Sequence, residues 1–292
     1  MSGLSYFKAT EIAAKSWQIE YAFTDREHVY GYLVEGEKYA LVIDALLGYG
    51  NLHGFLQTLT DKPMKLVDTH FHFDHCGGNY SFDSCYIHPR DLPYLYTGRP
   101  MTAAEMLEAA QSIALPGMAE RMKEADFFPE RPMRVYPIWN GDVFDIGDRR
   151  IEVVRVAGHT PGSVVLLDRA SRIAYTGDAC NGNTLLYFNE SLSVEEYLGE
   201  LIRFKRFQPD FDIMYGGHEV LKPEVIDEGI ELCGRIVAGT DDREESVGLF
   251  GQPVLYGARR GPDGFRRLDG KHFNIGYLPD KVLRGPKGRQ VL

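Results

Sequence analysis

The chain has 292 residues, 44% hydrophobic and 25% charged, which suits one large globular domain with a modest appendage and a core that needs no disulfide staples. A formal net charge of −10 and four irregularly spaced cysteines (Cys76, Cys85, Cys180, Cys233) argue against nucleic acid as the main partner, a disulfide framework or a cysteine zinc knuckle. The first 30 residues hold no apolar run long enough for a signal peptide, and no stretch approaches a membrane span of ~20 apolar residues, so a reducing cytoplasm is the expected setting.

Residues 29–34 and 39–43 read as two strands joined by the Glu35–Lys38 turn. A helix follows over 51–59, with Asn51 as its cap. Met64–Asp68 is a short apolar strand running into Thr69-His70-Phe71-His72-Phe73-Asp74-His75, and 85–87 is another strand. Residues 88–137 show helical spacing at 102–114 and 117–125 and no strand pattern, which predicts an inserted helical segment able to act as a lid. Strands resume at 143–146, 151–156, 163–168 and 172–176. A helix over 193–207, a strand over 211–215 and a helix over 223–238 come next. From about 249 the chain alternates weakly between Gly turns and adds strands at an edge. The division is a catalytic domain over 1–248 and a strand-rich extension over 249–292 packed on it, in a layered α/β fold with helices outside. The last 36 residues carry nine Lys or Arg against three Asp; this reads mainly as a solvated tail, with a local anion-steering patch as the functional alternative.

Three of the nine histidines fall within six positions, at His70, His72 and His75, with Asp74 among them. Residues i and i+2 leaving a strand project to one side, so His70 and His72 can close on one ion. A helix starting there swings Asp74 and His75 toward a second point. Imidazole and carboxylate suit zinc, iron or manganese and need no thiolate. Three further residues of ligand type follow Gly just beyond apolar strands: His159 in Gly158-His159-Thr160-Pro161-Gly162, Asp178 in Gly177-Asp178, and His218 in Gly216-Gly217-His218. Together they supply five His and two Asp, enough for two ions.

With HxHxDH, GHTPG, GD and GGH in this order across residues 25–220, the chain resembles the metallo-β-lactamase superfamily, which includes glyoxalase II thioesterases, lactonases and tRNA-processing nucleases. The resemblance implies a four-layer αββα sandwich. It implies two divalent ions, zinc first and iron or manganese as alternatives. His70, His72 and His159 would hold one ion; Asp74, His75 and His218 the other; Asp178 would bridge them, and Asp44 would brace the first loop. The implied activity is hydrolysis of a small ester, thioester or lactone by a hydroxide held between the ions, with Asp74 and Asp178 as the catalytic carboxylates. Mononuclear iron persulfide dioxygenases and phosphodiesterases share the motif and are the competing readings. Asp178 distinguishes the chain from true β-lactamases, which lack a bridging carboxylate, and His72 from flavodiiron proteins. Asn181 stands where bacterial lactonases place a Tyr, leaving Tyr187 as a substitute, and the C-terminus lacks the helical domain of glyoxalase II. Asn181 and Asn183 are candidate donors to a substrate carbonyl. Tyr94, Tyr96, Met101, Met106, Met118, Met122, Phe127 and Phe128 are candidates for an apolar pocket. The expected partner is a small molecule; the oligomeric state is left open, and the resemblance, to a superfamily whose members are often dimers, admits a homodimer.

Overall fold

The computed structural model describes residues 6–25, 28–95 and 102–285, so Tyr96, Met101, Lys287 and Arg289 lie outside the described residues. Its first sheet runs β1 (Phe7–Ala13), β2 (Ser16–Tyr21), β3 (Gly31–Glu35), β4 (Ala40–Ile43), β5 (Met64–Val67), β6 (Ser84–Ile87), β7 (Arg134–Pro137) in spatial as in chain order. Pairing is antiparallel from β1 to β4 and parallel from β4 to β7. The second sheet is built from β8 (Val143–Asp145), β9 (Arg150–Arg155), β10 (Val164–Asp168), β11 (Ile173–Gly177), β13 (Ile213–Gly216) and β14 (Val220–Leu221), ordered β14-β13-β11-β10-β9-β8. A third sheet of four strands joins β12 (Asn183–Leu186) to β15 (Glu244–Val247), β16 (Pro253–Tyr256) and β17 (Asn274–Tyr277), ordered β12-β17-β16-β15.

The side-chain period of two dictates how these sheets stack. In β4, Leu41 and Ile43 enter the core between the two large sheets, while Ala40 and Val42 face the opposite way. In β10, Val164 and Leu166 meet that same central core, while Val165 and Leu167 face a core on the far side. Both strands are apolar on both faces because both faces are covered. The outer face of the first sheet is covered by α1 (Leu52–Leu56) and by the segment carrying α4 (Ala103–Ser112). The outer face of the second is covered by α5 (Val194–Phe204), α6 (Val225–Ala238) and the third sheet. The result is the αββα sandwich, with two short helices, α2 (Phe73–Cys76) and α3 (Leu92–Leu95), in loops at the strand ends.

Local signals explain the helix ends. Asn51 Oδ1 accepts from Gly54 N at 2.9 Å. Ser193 and Glu196 form a capping box at the start of α5, as Thr102 and Glu105 do for α4. The apolar stripe of α5, with Val194, Tyr197, Leu201 and Phe204, is buried.

Four sequence readings need correction. The stretch 117–125 forms short 3-10 turns (Ala119–Arg121 and Glu124–Asp126) instead of a helix. The insertion is not free of strand, since β7 lies at 134–137 and pairs with β6. Strand structure at the C-terminus begins at Glu244 rather than near 249, and these strands form a sheet of their own with β12 instead of extending an edge. The β1–β2 hairpin and β12 carry too little apolar alternation to be read; β1 is half-exposed along most of its length. Of the suggested pocket residues, Met106, Met122 and Phe127 are buried in the outer core of the first sheet. The basic tail is largely paired within the fold: Arg260 with Glu244, Arg267 with Asp269, Lys271 with Glu231 and Arg284 with Glu196. That pairing supports the structural reading of these charges over a steering patch.

Arg149 ties the two large sheets together from inside. Its guanidinium donates to Ser16 Oγ, Asp168 Oδ2, Ser171 Oγ, Lys15 O and Glu35 O at 2.8–3.2 Å. Asp168 is fully buried. Removing the cation leaves that buried carboxylate without its counter-charge, so Arg149→Met should cost about 3–5 kcal/mol. The check is the urea midpoint at unchanged slope; a shift worth under about 1 kcal/mol would contradict it.

Candidate metal centre

The strands that are apolar on both faces end abruptly in polar loops, and those loops meet at one end of the sandwich. His70 and His72 leave β5, and α2 carries Asp74 and His75. His159 lies between β9 and β10, Asp178 just after β11, and His218 between β13 and β14. All seven side chains are brought together. Their ligating atoms fall into three groups, each within 4.8 Å: His70, His72 and His159; His70, His75 and Asp178; Asp74, His75 and His218. Asp178 spans them, with Oδ1 3.5 Å from His75 Nε2 and Oδ2 3.5 Å from His159 Nε2 and 3.3 Å from His218 Nε2. Asp74 Oδ2 is 3.3 Å from His218 Nε2 and 3.4 Å from His75 Nε2.

Each histidine has one ring nitrogen held from outside, which turns the other inward. His75 Nδ1 meets Asp44 Oδ2 at 2.9 Å. His159 Nδ1 donates to Leu185 O at 2.8 Å, and His218 Nδ1 to His28 O at 2.7 Å. His70 Nδ1 meets Thr69 Oγ1 at 3.1 Å. His72 uses the opposite nitrogen: Nε2 meets Glu190 Oε1 at 3.1 Å, and Nδ1 faces His159 Nε2 at 2.8 Å. The inward atoms His70 Nε2, His75 Nε2 and Asp178 Oδ1 are buried with no hydrogen-bond partner. Buried polar atoms are rarely left so, because each costs free energy unless something binds it. Their chemistry, imidazole nitrogen and carboxylate oxygen without thiolate, fits a divalent cation of the zinc, iron or manganese kind.

Electrostatics divides the cluster. Burial, reinforced by neighbouring histidines, holds His70 well below the usual imidazole range and lowers His159 to about 4. Burial also pulls on His75 and His218, but the carboxylates of Asp74 and Asp178 outweigh it and hold both well above that range. Conversely, burial disfavours the charge on Asp74 and Asp178, yet the facing histidines keep both well below the ordinary carboxylate value.

Two glycines before these residues are required by close approach. A Cβ on Gly217 would overlap Asp178 Oδ1 and His75 Cε1. One on Gly177, at φ +47°, would overlap the Thr69 side chain.

Asp44 does occupy the bracing position. It is a non-glycine residue at φ +60°, and it accepts from Thr69 N at 2.7 Å and Thr69 Oγ1 at 2.8 Å besides holding His75. Sequence reading missed two other carboxylates. Buried Asp91 accepts from Phe71 N at 3.2 Å, Thr160 Oγ1 at 2.7 Å and Gly162 N at 2.6 Å, joining the HxHxDH loop to the GHTPG loop. Burial raises its carboxyl to about 6 despite those donors. Glu190 is the other. Both stand singly in loops, where no spacing marks them. Asn183 is engaged with Phe265 O at 3.3 Å, and Tyr187 is buried against Val254 and Tyr256.

Comparison with known proteins supplies the context. The family description "Metallo-beta-lactamase superfamily" matches residues 24–218. An acyl-coenzyme A thioesterase MBLAC2 from Gallus gallus is 29% identical over 210 residues, 68% of this chain and 74% of that protein. The Bos taurus protein of the same name is 29% identical over 58% of this chain and 64% of its own length. A beta-lactamase domain protein from Burkholderia ambifaria superposes with a TM-score of 0.57 at 16% identity, covering 79% of this chain and 74% of that one, which speaks to the fold alone. The matched span takes in every strand of the second sheet but the last, and all seven converging side chains; this chain belongs to the metallo-beta-lactamase superfamily.

Proposed function

We propose that the chain is a metal-dependent thioesterase acting on a small acyl thioester. The observation that carries this is the convergence of buried, unpartnered His70 Nε2, His75 Nε2 and Asp178 Oδ1 with four further ligating side chains. His70, His72 and His159 would hold one cation, Asp74, His75 and His218 a second, with Asp178 between them and zinc as the best-suited metal. Such cations, when bound, acidify a water and polarise the carbonyl oxygen under attack. Asp74, the more open of the two carboxylates, would orient the attacking water and hold its proton. Asp44, Glu190 and the carbonyls of Leu185 and His28 would keep the imidazoles aimed while charge moves. Thioester hydrolysis is favoured over the other superfamily chemistries by the chicken and bovine relatives, both named as acyl-coenzyme A thioesterases. An apolar edge for the acyl group would run from Phe188, whose ring lies 4.9 Å from His72 and 5.5 Å from His159, to Phe250, 6.0 Å from Phe188 and 81% exposed. Among the described residues no helix is long and apolar enough to cross a membrane.

The direct test is release of free thiol from acyl-coenzyme A by zinc-loaded protein, with lactones, aryl esters and phosphodiesters alongside. Thioesters should be turned over fastest, and chelation should abolish turnover. Lactone hydrolysis without thioesterase activity would replace this reading. Asp178→Asn should lower turnover about a hundredfold or more and loosen the metals, since even residues that act behind metal ligands cost 10–100-fold. Full turnover with two metals retained would remove Asp178 from its role.

The raised His75 and His218 also set a pH dependence. The carboxylates of Asp74 and Asp178 favour the protonated form of both in the metal-free protein, and those protons must leave for a cation to bind. Zinc affinity should therefore fall as pH is lowered, and binding near pH 7 should release about one or more protons per chain. Calorimetry in buffers of different ionisation enthalpy measures that number, and zero would be inconsistent with the arrangement.

A further inference from the structure

We infer that Lys281, outside the motif-bearing part of the chain, is a positioning residue for the group formed by His70, His72 and His159. Its ammonium donates to three backbone carbonyls of one short loop: Phe188 O at 2.8 Å, Asn189 O at 2.7 Å and Ser191 O at 3.2 Å. An ammonium has three N–H donors, so this loop uses all of them. Peptide units on both sides of residue 190 are thereby turned toward a single point, which fixes the direction of the side chains between them.

Those side chains hold two of the histidines. Glu190 Oε1 meets His72 Nε2 at 3.1 Å, Ser191 Oγ donates to His159 O at 2.7 Å, and the Phe188 ring packs against both imidazoles. The segment bearing Lys281 is itself pinned to the start of α5. Glu195 N donates to Val282 O at 3.0 Å, and Arg284 N to Glu195 Oε2 at 2.8 Å. Just upstream, β17 pairs in parallel with β12, and β12 supplies the Leu185 carbonyl that orients His159. The C-terminal segment thus reaches His159 by two routes and His72 by one of them. A carboxylate on the outer nitrogen both aims an imidazole and raises its basicity toward a cation. Losing the ammonium would free the loop, release Glu190 and let His72 Nδ1 turn from His159 Nε2. His75 and His218 are braced instead by Asp44 and the His28 carbonyl.

This inference rests on the metal-binding reading above, and its test separates the two. Full-length wild type, Lys281→Met, Lys281→Arg and Glu190→Gln are titrated with zinc against a chromophoric chelator, and with cobalt while its visible absorption is recorded. Wild type should bind two cations per chain. Lys281→Met should weaken one of them about 10–100-fold and shift that site's cobalt band, leaving the other within about twofold. Lys281→Arg should restore part of the loss, and Glu190→Gln should reproduce it. Unchanged affinities and spectra in Lys281→Met, with two cations bound by wild type, overturn this inference alone. If Lys281→Met does not fold, normal affinity in both Glu190→Gln and Lys281→Arg overturns it. Wild type that takes up no cation overturns the metal-binding reading and this inference with it.

Discussion

The buried contact of Asp44 with Thr69 and His75 is the constraint on which the rest of the centre turns. Asp44 ends β4 in a left-handed conformation that a non-glycine residue adopts only when its surroundings over-determine it. One carboxylate then fixes the backbone leaving β5, the hydroxyl that meets His70 and the ring of His75. Because β4 and β5 are parallel neighbours, the two strand ends lie side by side. The first sheet therefore delivers its polar loop to a set place, and the second sheet must bring His159, Asp178 and His218 to meet it. Arg149 and the central core hold the sheets in that relation.

Packing of this kind explains why the inward atoms tolerate being unpartnered. Each imidazole is already satisfied on its outer nitrogen, so its remaining nitrogen cannot swing away to find water without breaking a buried hydrogen bond. Burial that keeps His70 and His159 from charging, and the attraction of His75 and His218 to two carboxylates, are then the electrostatic features left inside the cluster. On the proposed reading a cation would suit the neutral imidazoles of the first pair and take the place of the protons favoured on the second. The outer partners are oxygens of several kinds, two carboxylates, two carbonyls and one hydroxyl, drawn from strand ends and loops of the first sheet, from β12 of the third and from the loop that follows β12.

Much of this was legible in the chain because the signals are local. Apolar runs of β9, β11 and β13, followed by Gly and a histidine or aspartate, and that of β5 running into the HxHxDH loop, mark strand ends without any knowledge of their neighbours. Capping boxes at Thr102 and Ser193 mark helix starts in the same way. What stayed hidden depends on distant partners. Asp91 matters through loops 20 and 69 positions away in sequence and Glu190 through one 118 positions away, and no period or motif announces them. β1 is half-exposed and alternates poorly, and β12 is recognisable as a strand only once β17 lies beside it. The stretch 117–125 has helical spacing but packs around Tyr49 and Phe127 as short turns, a case of tertiary contacts overriding a weak local preference.

The parallel ladder between β12 and β17 has a consequence for how the molecule is made. It pairs Asn183 with Asn274 and Leu186 with Tyr277, so it can close only after some ninety intervening residues have been synthesised and ordered. Such long-range pairings carry the greatest loop entropy and are the slow steps of folding. The carbonyl that orients His159 belongs to this ladder, so β17, the last strand among the described residues, completes the convergence of side chains begun near residue 70. On the proposed reading, metal capture would report on completed chain folding.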